Sequence, residues 1–513
     1  MSIKKSLLAV LGIVYSLAVV ADTGVPYREL DAQWRAKWEA LLHYEGARSV
    51  IDPSSDFFLS PQGAFHPDKE LAATIDYFKS DPVHACEFPA RAYLITGQKP
   101  NKSCSAYQEF EQYVALDSVS LVFASESETS PVSSMGHVFL LLGGVNQQGV
   151  FKQHATAFVA DTAQNKNLLM DFLHDRMSGS YVLIPYDDWI YQYVSLEQRS
   201  LWEYELALSD EARQWLRWHL FELKEHPIKY SFFKHNCANG LSQVLTAADP
   251  SLSVAHTGVY LTPVQYTQWM AQKGTVKKLT LRPSSEDAQR VKRGNRPDPL
   301  KTPAASRWQV SANYRSGEEA GLGFSFLPFF TDLKEINPAH AKLTEVKFFE
   351  LDARVFQHHQ WIEQITLVNI RSLPNLALSR PKLNLGFELH GTQGNKSTSL
   401  RPDIHIGTGF SLREKGIRPF WSVDAGVYLS PIGTQYYALQ RLGIYYTKDP
   451  IKLELYRQDS VSQKGDYANS PRSYHANFSY AITPQVSAFA RASCVKLTDS
   501  RMSEVSVGLN HRF

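Results

Sequence analysis

"SEVSVGLNHRF", residues 503–513, alternates without a break: Val505, Val507, Leu509, His511 and Phe513 interleave with Glu504, Ser506, Gly508, Asn510 and Arg512. A period of two sends successive side chains to opposite faces of a strand, so this segment has one largely apolar face that ends on an aromatic ring. The pattern recurs upstream. Trp308, Val310, Ala312 and Tyr314 alternate with polar residues, as do Leu383, Leu385, Phe387 and Leu389. So do Ile404, Ile406, Thr408, Phe410 and Leu412, then Ile451, Leu453 and Leu455, then Tyr474, Ala476, Phe478 and Tyr480. About twelve such segments of roughly nine to thirteen residues are separated by turn-like stretches such as "LHGTQGNKSTSLRPD" (389–403), and a bilayer-crossing strand needs about 9–11 residues.

Residues 306–513 are therefore expected to form a transmembrane antiparallel β-barrel of about twelve strands. A soluble sandwich also alternates, but strand length, aromatics near strand ends and the terminal Phe513 favour the barrel. A last strand with an aromatic end resembles those of bacterial outer-membrane proteins, which implies outer-membrane lipid and the barrel assembly machinery as partners. A closed barrel leaves no unpaired edge, which is what lipid requires of a sheet.

Outward from the barrel, "LRPSSEDAQRVKRGNRPDPLKTPAAS" (281–306) is rich in proline and charge and reads as a linker over 281–305. At the other end, Lys4 and Lys5 precede the apolar "LLAVLGIVYSLAVVA" (7–21), the pattern of a signal peptide spanning 1–21. The expected location is the cell outer membrane with an N-terminal domain in the periplasm. With 53 basic against 51 acidic residues the chain carries no field for a polyanion, so nucleic acid is not an expected partner.

Residues 22–105 read as a mostly helical segment, with "LDAQWRAKWEALLHYEG" and "DKELAATIDYFKS" at helical spacing. Residues 106–280 alternate short β-rich runs with helices, an α+β domain. Of four cysteines, Cys86 and Cys104 lie close enough in sequence to close a short disulfide loop in an oxidising compartment. Cys494 falls in a strand-like segment, and Cys237 in "KHNCANGL" (234–241) is left without an evident partner.

"ANGLSQVLTAA" following Cys237 places Leu241, Val244 and Leu245 on one helical face, so Cys237 should sit at a helix N-terminus. Unpaired N–H groups there stabilise a thiolate and can form an oxyanion hole. A base must come from elsewhere. His137 in "SSMGHVFLLL" opens an apolar strand behind Gly136 and is the leading candidate. Alone, each residue has an ordinary structural reading: a small buried hydrophobe for Cys237, a strand-end histidine for His137. As a pair they favour catalysis.

"SETSPVSSMGHVFL", "RSLWEYELALS" and "YSFFKHNCANGLSQVL", in that order, resemble the periplasmic thiol domain of Lnb-type lipoprotein N-acyltransferases, over roughly residues 25–260. "HACEFPARAYLI" and the cysteine after it match the stretch preceding that domain. The resemblance implies a circularly permuted, NlpC-like papain fold with Cys237 as nucleophile and His137 as base. It also implies a third, orienting group, for which His154 in "FKQHATAF" is the candidate. Asn236 would support the oxyanion, His235 lies beside the nucleophile, and Glu203 and Tyr204 fall in a matching motif. Where those enzymes are understood to carry transmembrane helices, this chain carries a barrel.

The expected function is acyl transfer through a thioester on Cys237, with phospholipid or lipoprotein as substrates. The alternatives are an NlpC-like amidase or peptidase acting on peptidoglycan, and a non-enzymatic binding module on a barrel. No cofactor is expected, and no metal: the adjacent His358 and His359 would point to opposite faces of a strand.

Overall fold

The computed structural model describes residues 27–513 apart from 101–102, 128–134, 162–176, 232, 255–259, 295–297, 317–319, 332, 336, 338–342, 356–359, 393–398, 431–432, 463–471 and 497–500. The expected signal peptide and the His358–His359 pair lie outside the described residues. Two compact units emerge: Met1–Ala124 with His137–Leu196 and Ser200–Arg282, and Ser125–Gly136 with Glu197–Arg199 and Pro283–Phe513.

In the first unit a two-residue ladder, β1 (Tyr44–Glu45) and β2 (Arg48–Ser49), precedes a seven-stranded sheet. Its strands are β3 (Ser118–Ala124), β4 (His137–Val145), β5 (Phe151–Ala160), β6 (Met177–Pro185), β7 (Leu201–Leu206), β8 (Ile228–Tyr230) and β9 (Val276–Arg282). They lie in the order β8-β6-β5-β4-β3-β7-β9, every pair antiparallel.

Both faces are covered. Val138, Leu140, Leu142 and Phe158 project into a large core with the helices Ala32–Leu41, Asp210–Leu223 and Cys237–Ala248. Phe139, Leu141, Ala155 and Ala157 project the other way, against Tyr186, Trp189 and Tyr193. Those three come from a short helix, Tyr186–Ile190, that runs into a π-helical turn, Tyr191–Leu196. The Asp210–Leu223 helix starts as its sequence predicts, with Ser209 Oγ accepting the Ala212 N–H at 3.1 Å.

Among the described residues of this unit, buried charge is matched. Arg91 stands between Glu70 (3.3 Å) and Glu222 (3.7 Å), and all three side chains are sealed from solvent. Glu222 also accepts the backbone N–H groups of Ala90 and Arg91 at 2.7 and 3.0 Å. Beside it, His43 and His219 meet ring nitrogen to ring nitrogen at 2.9 Å. Cys86 and Cys104 form the expected disulfide.

The second unit is a closed barrel. Its strands are β10 (Arg307–Arg315), β11 (Gly321–Leu327), β12 (Phe329–Thr331), β13 (Thr344–Val355), β14 (Gln360–Ser372), β15 (Lys382–Thr392), β16 (Ser399–Ser411), β17 (Ile417–Ser430), β18 (Gly433–Lys448), β19 (Ile451–Ser462), β20 (Arg472–Ala481), β21 (Val486–Lys496) and β22 (Arg501–Arg512). Because β11 and β12 are one strand interrupted at Pro328, the thirteen segments make twelve strands. Each pairs antiparallel with its chain neighbour, and β22 pairs with β10 to close the ring.

Polarity is inverted relative to a soluble sheet. Val310, Leu383, Ile406, Val505, Val507 and Leu509 are exposed on the outer wall, whereas Gln309, Ser311, Asn313, Asn384, Glu388 and Ser506 are buried on the inner one. That is the arrangement of a barrel solvated by lipid outside and water within.

Part of the lumen is filled at the end that carries the N-terminus of β10 and the C-terminus of β22. Leu333 and Leu343 pack there with Leu373, Phe420 and Tyr445. Glu335, 1% exposed, binds Arg307 and Arg512, residues that face each other in the β10–β22 register. Lys452 and Ser479 donate to the Glu335 and Lys334 carbonyls.

The segment read as a linker differs from expectation. It contains a helix, Ser285–Lys292, capped by Ser284, and Arg290 on that helix is buried against Glu286, Asp287 and Glu414. The charges of Glu286, Asp287 and Arg290 are paired and buried, whereas Lys292, Arg293 and Lys301 remain exposed.

Candidate functional site

Cys237 is the first residue of its helix, as the spacing predicts, is 5% exposed and takes part in no disulfide. Leu241, Val244 and Leu245 anchor the helix in the large core. Gly240 lets it approach the sheet: a Cβ there would stand 2.6 Å from the Phe158 ring, and Tyr181 on β6 donates to the Gly240 carbonyl at 2.7 Å.

Tyr230, on β8, packs its ring 5.4 Å from that of Phe158 and interacts electrostatically with Cys237. Burial first and the Cys237 thiol second push its phenol well above the ordinary tyrosine range, so it stays protonated. Sequence reasoning passed over Tyr230; its signal, "KYSFFKHNC", was the short strand leading into the cysteine turn.

Asn236 takes a different role from the one expected. Its side-chain oxygen accepts the N–H groups of Ala238 (2.9 Å) and Asn239 (3.2 Å), and its amide donates to the Leu261 carbonyl at 2.9 Å. It is the N-cap, and two of the N–H groups that an oxyanion would need are already satisfied by it. His235 is 7% exposed and stands 3.5 Å from Glu45. Burial pushes the Glu45 carboxyl up, but His235 and Gln243 outweigh that and hold it below the usual range.

His137 opens β4 opposite Ala124, and its ring stacks on Trp189 at 5.9 Å with Phe139 and Tyr193 close by. That is the sheet face away from the Cys237 helix. His137 shares the parity of Phe139 and Leu141 rather than that of Val138 and Leu140. His154 does share the Cys237 face, opposite Leu142, but it packs on Tyr113 with ring centroids 4.1 Å apart. It is four residues along β5 from Phe158, roughly 13 Å at 3.3 Å per residue. Burial, then Lys152, lowers its pKa.

Glu203 lies on the His137 face, where it accepts the Tyr186 hydroxyl at 2.7 Å and pairs with Arg282. Tyr204 is buried in the opposite core. Among the described residues no cluster of histidine, cysteine and carboxylate side chains is suited to a metal ion.

Residues 106–272 match the family model of the Lnb N-terminal periplasmic domain. Residues 31–98 and 296–511 match two domains of unknown function, DUF7843 and DUF7840. No curated protein matches the chain. Among solved structures, the NanC porin is similar at 9% identity, covering 40% of this chain and 100% of its own, with a TM-score of 0.29. The KdgM porin stands at 12% identity, 40% and 99% coverage and a TM-score of 0.26. The Acinetobacter baumannii outer membrane protein Omp33 stands at 8%, 42% and 100%, and 0.24.

A periplasmic-domain match and a closed, lipid-faced twelve-stranded barrel in one chain define an outer-membrane protein with its N-terminal domain in the periplasm.

Proposed function

We propose that the N-terminal unit is a permuted papain-like thiol domain that carries an acyl group on Cys237 as a thioester and passes it to an amine. The thiolate breaks an acyl ester of the phospholipid donor and releases lysophospholipid; an amine of the lipoprotein acceptor then attacks the thioester, forming an amide and returning the Cys237 thiol. One observation carries this reading: a cysteine outside any disulfide at the first position of a buried helix, in a domain whose other cysteines are joined to each other. The helix dipole favours the thiolate, and the protonated phenol of Tyr230, which interacts electrostatically with Cys237, is the group we assign to tuning it. Phe158, Tyr181 and Tyr230 give the surroundings an aromatic rather than an open polar character, which favours an acyl chain over a peptidoglycan amide.

The test follows two signals in the whole protein in detergent: labelled thioester from a radiolabelled phospholipid, and alkylation of Cys237 against pH. Wild type should form the thioester and Cys237→Ala should not. Tyr230→Phe should raise the thiol pKa by about one unit, 1.4 kcal/mol. With the imidazole on the far face, His137→Ala should leave the alkylation rate within about two-fold; a tenfold loss would mean the strand end rearranges to bring it to the sulfur. No thioester from wild type, with a thiol pKa at or above about 8.5, would end the reading.

A further inference from the structure

The barrel lumen holds a second candidate site, unrelated to Cys237. Its half remote from the termini encloses a cavity of about 470 Å³, within the roughly 300–1,000 Å³ span of small-molecule sites. The lining comes from the ends of β15, β17 and β19 and the beginnings of β14, β16 and β18, which in a barrel with periplasmic termini is the outer half.

Its wall is built rather than merely polar. Asp403 accepts the Tyr437 hydroxyl at 2.8 Å and meets His405 Nδ1 at 3.0 Å. Glu388 lies 3.3 Å from His390 and accepts the Asn369 amide at 2.7 Å. Arg441 donates to Gln458 at 2.9 Å and pairs with Asp424.

Two glycines make the space. A Cβ at Gly386 would collide with the His405 ring, and one at Gly426 with the Tyr437 ring, so both rings lie against bare backbone instead of crossing the lumen. The opposite end is occupied by Leu333, Lys334 and Glu335.

From this we infer that the outer half of the lumen is a binding cup for a neutral, hydroxyl-rich ligand of small saccharide size. The charged lining is nearly balanced, with Glu363, Glu388 and Asp403 against Arg401 and Arg441 plus two histidines, which suits neither a strong anion nor a cation. Carboxylate, guanidinium, imidazole and amide groups offer paired donors and acceptors to vicinal hydroxyls, and the rings of Tyr428 and Tyr437 offer apolar surface to a sugar face.

The experiment uses the full chain in detergent, titrated calorimetrically with maltose, lactose and N,N′-diacetylchitobiose, and with glucuronate and glucosamine as charged probes. At least one neutral disaccharide should bind with a Kd of about 1 mM or tighter. Asp403→Asn should weaken it at least tenfold, as should Gly426→Ala, which drives Tyr437 into the cup. Retained heat-modifiable migration verifies that each variant is folded. Cys237→Ala should bind as wild type does, which separates this site from the thiol chemistry. Absence of saturable binding by all three disaccharides, affinity unchanged in Asp403→Asn, or preference for either charged probe would overturn the proposal.

Discussion

The two units handle buried charge in opposite ways. In the N-terminal unit Arg91, Glu70 and Glu222 sit in a dry core, each matched by a partner and by backbone. In the barrel, the charges of Arg441, Asp403 and Glu388 border a cavity inside the wall, and the apolar residues face outward. The same ion pair is therefore held under a low dielectric in one unit and in a wettable lumen in the other. The difference teaches that solvent, not sequence polarity, decides which pairs are indispensable.

Deleting a partner should expose that contrast most strongly. Arg91→Ala leaves two carboxylates in a sealed core and should destabilise the N-terminal unit by about 3–5 kcal/mol. Arg441→Ala, beside a wettable cavity, should cost the barrel less than about 1 kcal/mol. Denaturant melts followed by circular dichroism and by gel migration measure the two; equal costs would erase the distinction.

A second comparison concerns neighbours in one strand. Val507→Lys places an ammonium against lipid and should cost about 2–4 kcal/mol of barrel stability. Ser506→Lys enters a lumen cavity of about 230 Å³ lined by Asp352 and Glu504, and should cost less than about 1 kcal/mol. Equal losses in the gel-shift assay would mean the faces are assigned wrongly.

The smallest effect separates the units by pH. Burial, then Arg91 and Lys37, pushes His219 down to about 3, and burial, then His219, lowers His43 further below its ordinary value. Both bind protons more readily unfolded, so their contribution is lost as pH falls below about 6.5. Burial raises Glu222 to about 7 against the pull of Arg91, so its contribution is largest below about 4.5 and fades as pH rises through 7. Two losses oppose one gain. Stability of the N-terminal unit should fall by about 1.4 kcal/mol per pH unit between pH 6 and 5, and Glu222→Gln should roughly double that slope. Unfolding midpoints across this range provide the measurement; a flat profile in the variant would remove the histidine pair from the account.

The barrel was legible because only one face of each strand meets lipid, which imprints a period of two on Val505–Phe513 and its counterparts. The Cys237 helix was legible from Leu241, Val244 and Leu245. The facing of His137 was not. "HVFLLLGG" is buried on both sides of the sheet, so every position is apolar and no alternation tells which face the histidine takes. Arg290 misled for a related reason: a charged residue looks solvated until its partner, Glu414, is brought to it by the fold. Tyr230 reached Cys237 through a strand of three residues, too short to register as periodicity.

Glu335 has a consequence for the order of events during biogenesis. Arg307 and Arg512 meet at the seam where the first and last strands join; Glu335 binds both, and Glu350 holds Arg307 as well at 2.9 Å. The carboxylate that reconciles them comes from a loop synthesised long before β22, and it lies inside the ring. A seam that shares this carboxylate closes at lower electrostatic cost with Glu335 already inside the ring, so Glu335 should favour sealing as well as brace it. Glu335→Gln should delay the appearance of the heat-modifiable form after insertion by more than it lowers the final yield, as a pulse-chase on gels would measure.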